Sequence, residues 1–172
     1  LDALAGRPLT EPEATCLQLR WPKARPAKQP RVLALLASWG EARNDRATWE
    51  RLVGWYRRNT QAYHPWLAAR YAESLLDGGP GFAAEAARVA TAALADAPRV
   101  DTNPWPTATL RLHDARVRAG ELLVASPEYM VPLGSEVVED REAEAARRLT
   151  GWRAARDAFC AGGGCPTGPA AP

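Results

Sequence analysis

His64–Pro98, HPWLAARYAESLLDGGPGFAAEAARVATAALADAP, is the stretch whose reading decides the fold. Trp66, Leu67, Tyr71, Leu75 and Leu76 fall on one broad face at helical spacing. Asp77, Gly78, Gly79, Pro80 and Gly81 then stop that helix, because no regular helix passes through two glycines, a proline and a third glycine. From Phe82 to Ala97 the chain is dominated by alanine, the strongest helix former. Ala86, Val89, Ala90, Ala93 and Leu94 form its apolar stripe, and Pro98 closes it. The passage therefore reads as two helices and a turn, with small residues that let the two backbones approach closely.

A chain of 172 residues is one ordinary domain, long enough to bury a core unaided. It is 47% apolar, but no apolar run approaches the eighteen or so residues that span a bilayer, so no membrane span is expected. The formal charge is +2 and Lys occurs only as Lys23 and Lys28. An Arg-rich composition beside abundant Ala, Pro and Gly reads as the codon usage of a GC-rich bacterial genome. With so little net charge and no clustering, no nucleic-acid partner is expected. The chain begins at Leu1 and its one methionine is Met130, so it reads as a processed or excised piece. Ala3-Leu4-Ala5 resembles the end of a signal-peptide cleavage site, the alternative being an arbitrary boundary in an Ala/Leu segment. An extracytoplasmic location is favoured slightly over a cytoplasmic one.

Upstream of the hairpin, Thr10 and Glu13 have capping-box spacing, with Pro12 in the first turn, and predict a short helix that ends at Trp21 before Pro22. A strand over Thr15 to Trp21 is the competing reading. Pro22 to Pro30, PKARPAKQP, reads as an extended basic linker. A helix carrying Val32, Leu33, Leu35, Leu36 and Trp39 is expected to stop near Gly40, and the next to start after a cap at Asn44 or Asp45. That second helix presents Trp49, Leu52, Val53 and Tyr56 and ends at Asn59 and Thr60, with Trp55 off the stripe.

Downstream, Pro104-Trp105 echoes Pro65-Trp66, and Ala108 stands where Ala69 stood. A Pro-Trp recurring at helix starts, at a period of roughly 40 residues, is a modest internal repeat of the kind that marks solenoids. Trp66 and Trp105 are accordingly expected at equivalent, buried positions. A helix over Thr107 to Val124 follows, frayed at Gly120, then a loop at 126–134 and a last helix from Ser135 to about Phe159. Its stripe is Val138, Ala145, Leu149, Trp152 and Phe159, and its charges, Arg147 and Arg148 included, read as a solvated face.

The hairpin resembles a tetratricopeptide repeat. Leu67, Ala68 and Tyr71 match that family's first helix, and Ala86, Ala90, Ala93 and Pro98 match its second. Leu76 to Gly81 is inserted between the halves, and Ala90 replaces the usual aromatic residue. The resemblance implies an all-α solenoid of stacked antiparallel helix hairpins whose concave side binds peptides or partner proteins. The expected layout is residues 1–30 as a short helix and linker, 31–160 as about three hairpins, and 161–172 as a flexible Gly/Pro-rich tail.

No catalytic or phosphate-binding signature is present, and no cofactor is expected. His64 reads as a capping or packing residue and His113 as a helix-surface or interface residue. Cys160 and Cys165 flank an alanine and three glycines that let the chain fold back, so a disulfide is feasible. Free thiols, or a metal shared with Cys16 and the histidines, are the alternatives, and Cys16 is expected to be buried. Three functions remain open: a non-catalytic repeat module that binds a protein or peptide, a structural helical appendage of a larger surface protein, and a small enzyme. The last would need an acid–base pair drawn from Glu73, Glu85, His113 and Asp114.

Overall fold

The computed structural model describes residues 7–100, 105–131 and 138–165. Among them every regular element is helical. The chain divides into two compact units, 1–62 and 63–172.

In the first unit α1 (Glu11–Arg20) is followed by 3-10 turns at Trp21–Lys23 and Pro26–Lys28, then α2 (Gln29–Arg43) and α3 (Arg46–Thr60). The Glu13 carboxylate accepts from the Thr10 amide and hydroxyl, both at 2.9 Å, so the predicted capping box starts α1. Residues 15–21 are thus helical or in a 3-10 turn, not a strand. Within the expected linker, Gln29 and Pro30 already belong to α2, since proline fits the first turn of a helix. Helix α2 also runs through Gly40 to a left-handed Asn44. The glycine marks a close approach: a Cβ there would meet the Trp49 ring at 2.6 Å. Asp45 caps α3, accepting from the Thr48 amide at 2.8 Å. Trp49, Leu52, Val53 and Tyr56 are buried as expected. Trp55 is buried too and turns toward α1, where its indole N–H donates to Gln18 O at 3.0 Å and its ring meets Trp21 edge-on at 5.3 Å.

The second unit contains α4 (Pro65–Asp77), α5 (Ala83–Asp96), α6 (Ala108–Ala125) and α7 (Arg141–Phe159), with 3-10 turns at Pro80–Phe82, Ala97–Arg99 and Pro127–Tyr129. The decisive hairpin is present with close to its predicted bounds. Its two ends meet where the Tyr63 amide donates to Asp96 at 2.8 Å, so α4 and α5 are antiparallel. Helix α5 packs on both α4 and α6 through Ala83, Ala86, Ala87, Ala90 and Ala93, all buried. Alanine here combines helix propensity with close backbone approach.

Helices α4 and α6 run parallel. Trp66 stacks on Trp105 at 6.3 Å, Glu73 bonds Arg111 at 2.7 Å and Asp77 bonds Arg118 at 2.9 Å, in ascending order on both helices. Helix α7 descends along α6, with Arg153 on Glu121 at 2.8 Å near one end and Phe159 on His113 at 5.0 Å near the other. Gly120 is buried in α6 rather than frayed, because a Cβ would meet Leu149 and Trp152 at 3.1 Å. The last helix starts at Arg141, not near Ser135. Asp140 caps it by accepting from Ala143 N at 3.0 Å, and Val138 precedes it. Ser135 lies outside the described residues. Past Phe159 the backbone continues as a π-type turn over Cys160–Gly164, so the first residues of the expected tail are ordered into a turn, and 166–172 lie outside the description.

Candidate functional site

The side chains that combine charge, aromatic surface and a concavity lie on α4 and α6, with Trp105 just ahead of α6 and Arg156 from α7. Pro65 opens α4 at the first helical position, which sets Trp66 in the first turn. Trp105 lies outside α6, two residues before its cap Thr107, so the two tryptophans are not equivalent within their helices. Both are half-buried rather than largely buried, and each partly covers the other. His64, only 2% exposed, meets the Trp105 ring edge-on at 4.8 Å, so it is a packing residue at the α4 cap position. The Arg111 guanidinium lies 4.8 Å from the Trp66 ring centre, within cation–π range.

Arg111 also lines a groove of about 430 Å³, together with Glu73, Leu76, Asp114, Arg118 and Arg156 among others. Its carboxylates are held by arginines. Glu73 accepts two bonds from Arg111 at 2.7 Å and one from Arg70 at 2.6 Å. Asp114 is bonded by Arg156, and this contact raises the guanidinium pKa still further. The Asp77–Arg118 and Glu121–Arg153 pairs stand at the more open edge, with Asp77 70% exposed. Two-pronged bonds such as Glu73–Arg111 fix side chains in place better than single contacts do. The exposed pairs can exchange partners at little cost.

Of the four residues that an acid–base reading would draw together, Glu73 and Asp114 share this groove, each occupied by arginine. Glu85 belongs to α5 and pairs with Arg88 at 2.8 Å. His113 is buried beneath Phe159, with Arg116 at 3.2 Å from Nδ1. Burial, reinforced by the Arg116 charge, holds the His113 pKa below its ordinary value. The structure therefore joins Glu73 to Asp114 and leaves Glu85 and His113 elsewhere.

No family model matches this chain, nor does any curated protein or solved structure. Its chemistry is carried by its own residues. Cys160 and Cys165 lie within disulfide-bonding distance, with Cα atoms 4.6 Å apart. Gly163 supplies the positive φ that this turn requires, and a side chain at Gly164 would overlap the Phe159 ring. Cys16 is exposed, contrary to the expectation of burial, because Ala14 and Leu17 take the inward face of α1. Among the described residues no group of three or more His, Cys, Asp or Glu side chains is placed to hold a metal ion. Arg148, read from the sequence as part of a solvated face, is 8% exposed and bonds Glu144 at 2.5 Å and Val131 O at 3.3 Å.

Sequence reasoning missed Arg111, Arg118 and Arg156 as groove residues. A signal for two of them was present. Glu73 to Arg111 spans 38 positions and Asp77 to Arg118 spans 41, which brackets the offset of the repeated Pro-Trp.

Proposed function

We propose that this protein is a non-catalytic helical-repeat module that binds an extended peptide segment of a partner protein along the α4–α6 face. The observation that carries this reading is the parallel pairing of α4 with α6, one helix pair apart in sequence, beside a charged groove whose Arg111 also lies over the Trp66 ring. In a stack of helix hairpins the first helices of successive pairs line one continuous face, and the parallel pairing of α4 with α6 supports that reading. The tryptophans offer a broad apolar anchor, and the flanking charges of both signs read the polar side chains of the ligand. Because Asp77–Arg118 and Glu121–Arg153 are solvent-facing, a ligand can displace either arginine without leaving a buried charge unpaired.

The test is selection of binding peptides by display on the full chain, followed by two-dimensional nitrogen–proton spectra with the highest-affinity peptide. The indole signals of Trp66 and Trp105 should shift, and Arg118→Glu should weaken binding by about fivefold or more. The reading fails if no peptide binds above background, or if bound peptides leave both indole signals unmoved.

A further inference from the structure

A second concavity, of about 480 Å³, lies in the first unit between α1, the two 3-10 turns and α2. Its floor is aliphatic: Leu17 and Val32 are buried, and Ala24 is half-buried between them and solvent. Three cations surround it. Arg20 ends α1, Lys23 closes the first 3-10 turn and Lys28 closes the second. None of the three has a carboxylate partner among the described residues, in contrast to the arginines of the α4–α6 groove. Among the described residues of the lining the carboxylate is Glu13, an anion already bonded by Arg7 and by the Thr10 cap. Arg7 offsets the Glu13 charge, so the three cations of the rim remain in excess.

We propose that this cavity binds a single-chain aliphatic carboxylate, with the hydrocarbon chain on the Leu17–Ala24–Val32 floor and the carboxylate at Arg20, Lys23 and Lys28. Three features of the cavity select that chemistry. Its volume falls within the range of small-ligand pockets. Among the described residues the lining contains no Ser, Thr, Asn, Gln or Tyr side chain, so a peptide laid on the floor would bring amide groups to a surface without neutral side-chain partners. A hydrocarbon chain has no such groups to satisfy. The unpaired cations, with stems that extend the apolar wall and heads that reach water, then favour a ligand with one anionic end.

Exposed Cys16 in the lining supplies the readout. The probe is dodecanoate below its micellar range, added to the full chain, with alkylation of Cys16 by N-ethylmaleimide followed by mass spectrometry. Saturable protection that slows the alkylation by about fivefold or more is expected. Each methylene removed from the probe should weaken binding about fourfold, from the transfer free energy of a buried methylene. A K23E/K28E variant should bind about tenfold or more weakly, whereas Arg25→Glu, which reverses a charge just outside the lining, should weaken binding clearly less, since it removes no group that meets the carboxylate. Circular dichroism of each variant keeps a folding loss distinct from a binding loss.

Four results would overturn the proposal: no protection by dodecanoate, equal protection by dodecanol, an equal loss in Arg25→Glu, or stronger protection by an acidic peptide. Protection only by vesicles of phosphatidylglycerol, and not by monomeric dodecanoate, would assign the cations to a membrane surface and refute a soluble ligand.

Discussion

Gly40→Ala should destabilise the first unit, although alanine is the better helix former. Gly40 sits inside α2, where replacement by alanine in an unconstrained helix would gain about 1 kcal/mol. Against that gain, the added Cβ would lie 2.6 and 2.7 Å from two carbons of the Trp49 ring and 3.0 Å from Leu52 Cδ1. Trp49 is 1% exposed and Leu52 fully buried, so neither can yield toward solvent. Forcing a methyl group into such a site costs about 1 to 3 kcal/mol, and contact with an immobile ring places this case in the upper half of that range. The difference is a net loss of about 1 to 2 kcal/mol, or a fall of roughly 4 to 16 °C in melting temperature for a unit of this size. Urea titration by far-ultraviolet circular dichroism and tryptophan fluorescence should show a lower midpoint with an unchanged slope. Gly151→Ala is the internal control, since a Cβ there meets nothing within 4 Å. It should raise the stability of α7 by about 0.5 to 1 kcal/mol. An unchanged or raised midpoint for Gly40→Ala would refute the close-approach argument.

Four further outcomes follow from the geometry. Glu73→Gln should cost about 1 to 2 kcal/mol by leaving Arg111 without its two-pronged partner. The charge swap E73R/R111E should recover part of that loss, and a double-mutant cycle with no coupling would deny the bond any energetic role. Glu13 has a folded pKa near 2 against an ordinary 4.5, so its contribution to stability is present above pH 4.5 and is lost as the pH falls toward 2. In acid titrations Glu13→Gln should abolish that part of the slope, and a variant with the parent slope would contradict the assignment. His113 has a folded pKa below 6.5, so the unfolded chain binds the proton more readily and stability should decline as the pH falls below 6.5. Unfolding midpoints of His113→Phe should lack that decline while the ring stack on Phe159 persists. Closing so short a loop, Cys160 to Cys165, should contribute about 2 kcal/mol or less. Intact mass before and after reduction, with alkylation, should show the pair bonded in protein taken from an oxidising compartment; two free thiols there would refute the bond.

Helix existence was legible in the sequence because the signals for it are local. Thr10 with Glu13, Asp45 with Thr48 and the GGPG break each act within four residues, and the structure uses all three. Glycine is where local reading failed. Gly40 and Gly120 look like the stop at Gly78, yet each sits inside a helix facing Trp49 or Trp152 from another helix. What distinguishes them is a neighbour on another helix, which the local sequence around the glycine does not reveal. The start of α7 failed for a related reason: Ser135 and Asp140 are both acceptable caps, and local propensity does not rank them.

The site was legible only in part because the recurrence of Pro-Trp was read as equivalence when its structural meaning is adjacency. Parallel neighbours one helix pair apart bring residues at the repeat offset face to face, so two copies of a large aromatic residue stack on each other. The same geometry governs charge. Two acids brought face to face would repel, and the chain instead sets Glu73 against Arg111 and Asp77 against Arg118, at separations of 38 and 41. Like residues at the repeat distance are favourable when apolar, and opposite residues are favourable when charged. A search for identity finds only the first kind. The groove residues are of the second kind, and complementarity at separations of 38 to 42, close to that of the tryptophans, is the pattern that identifies them.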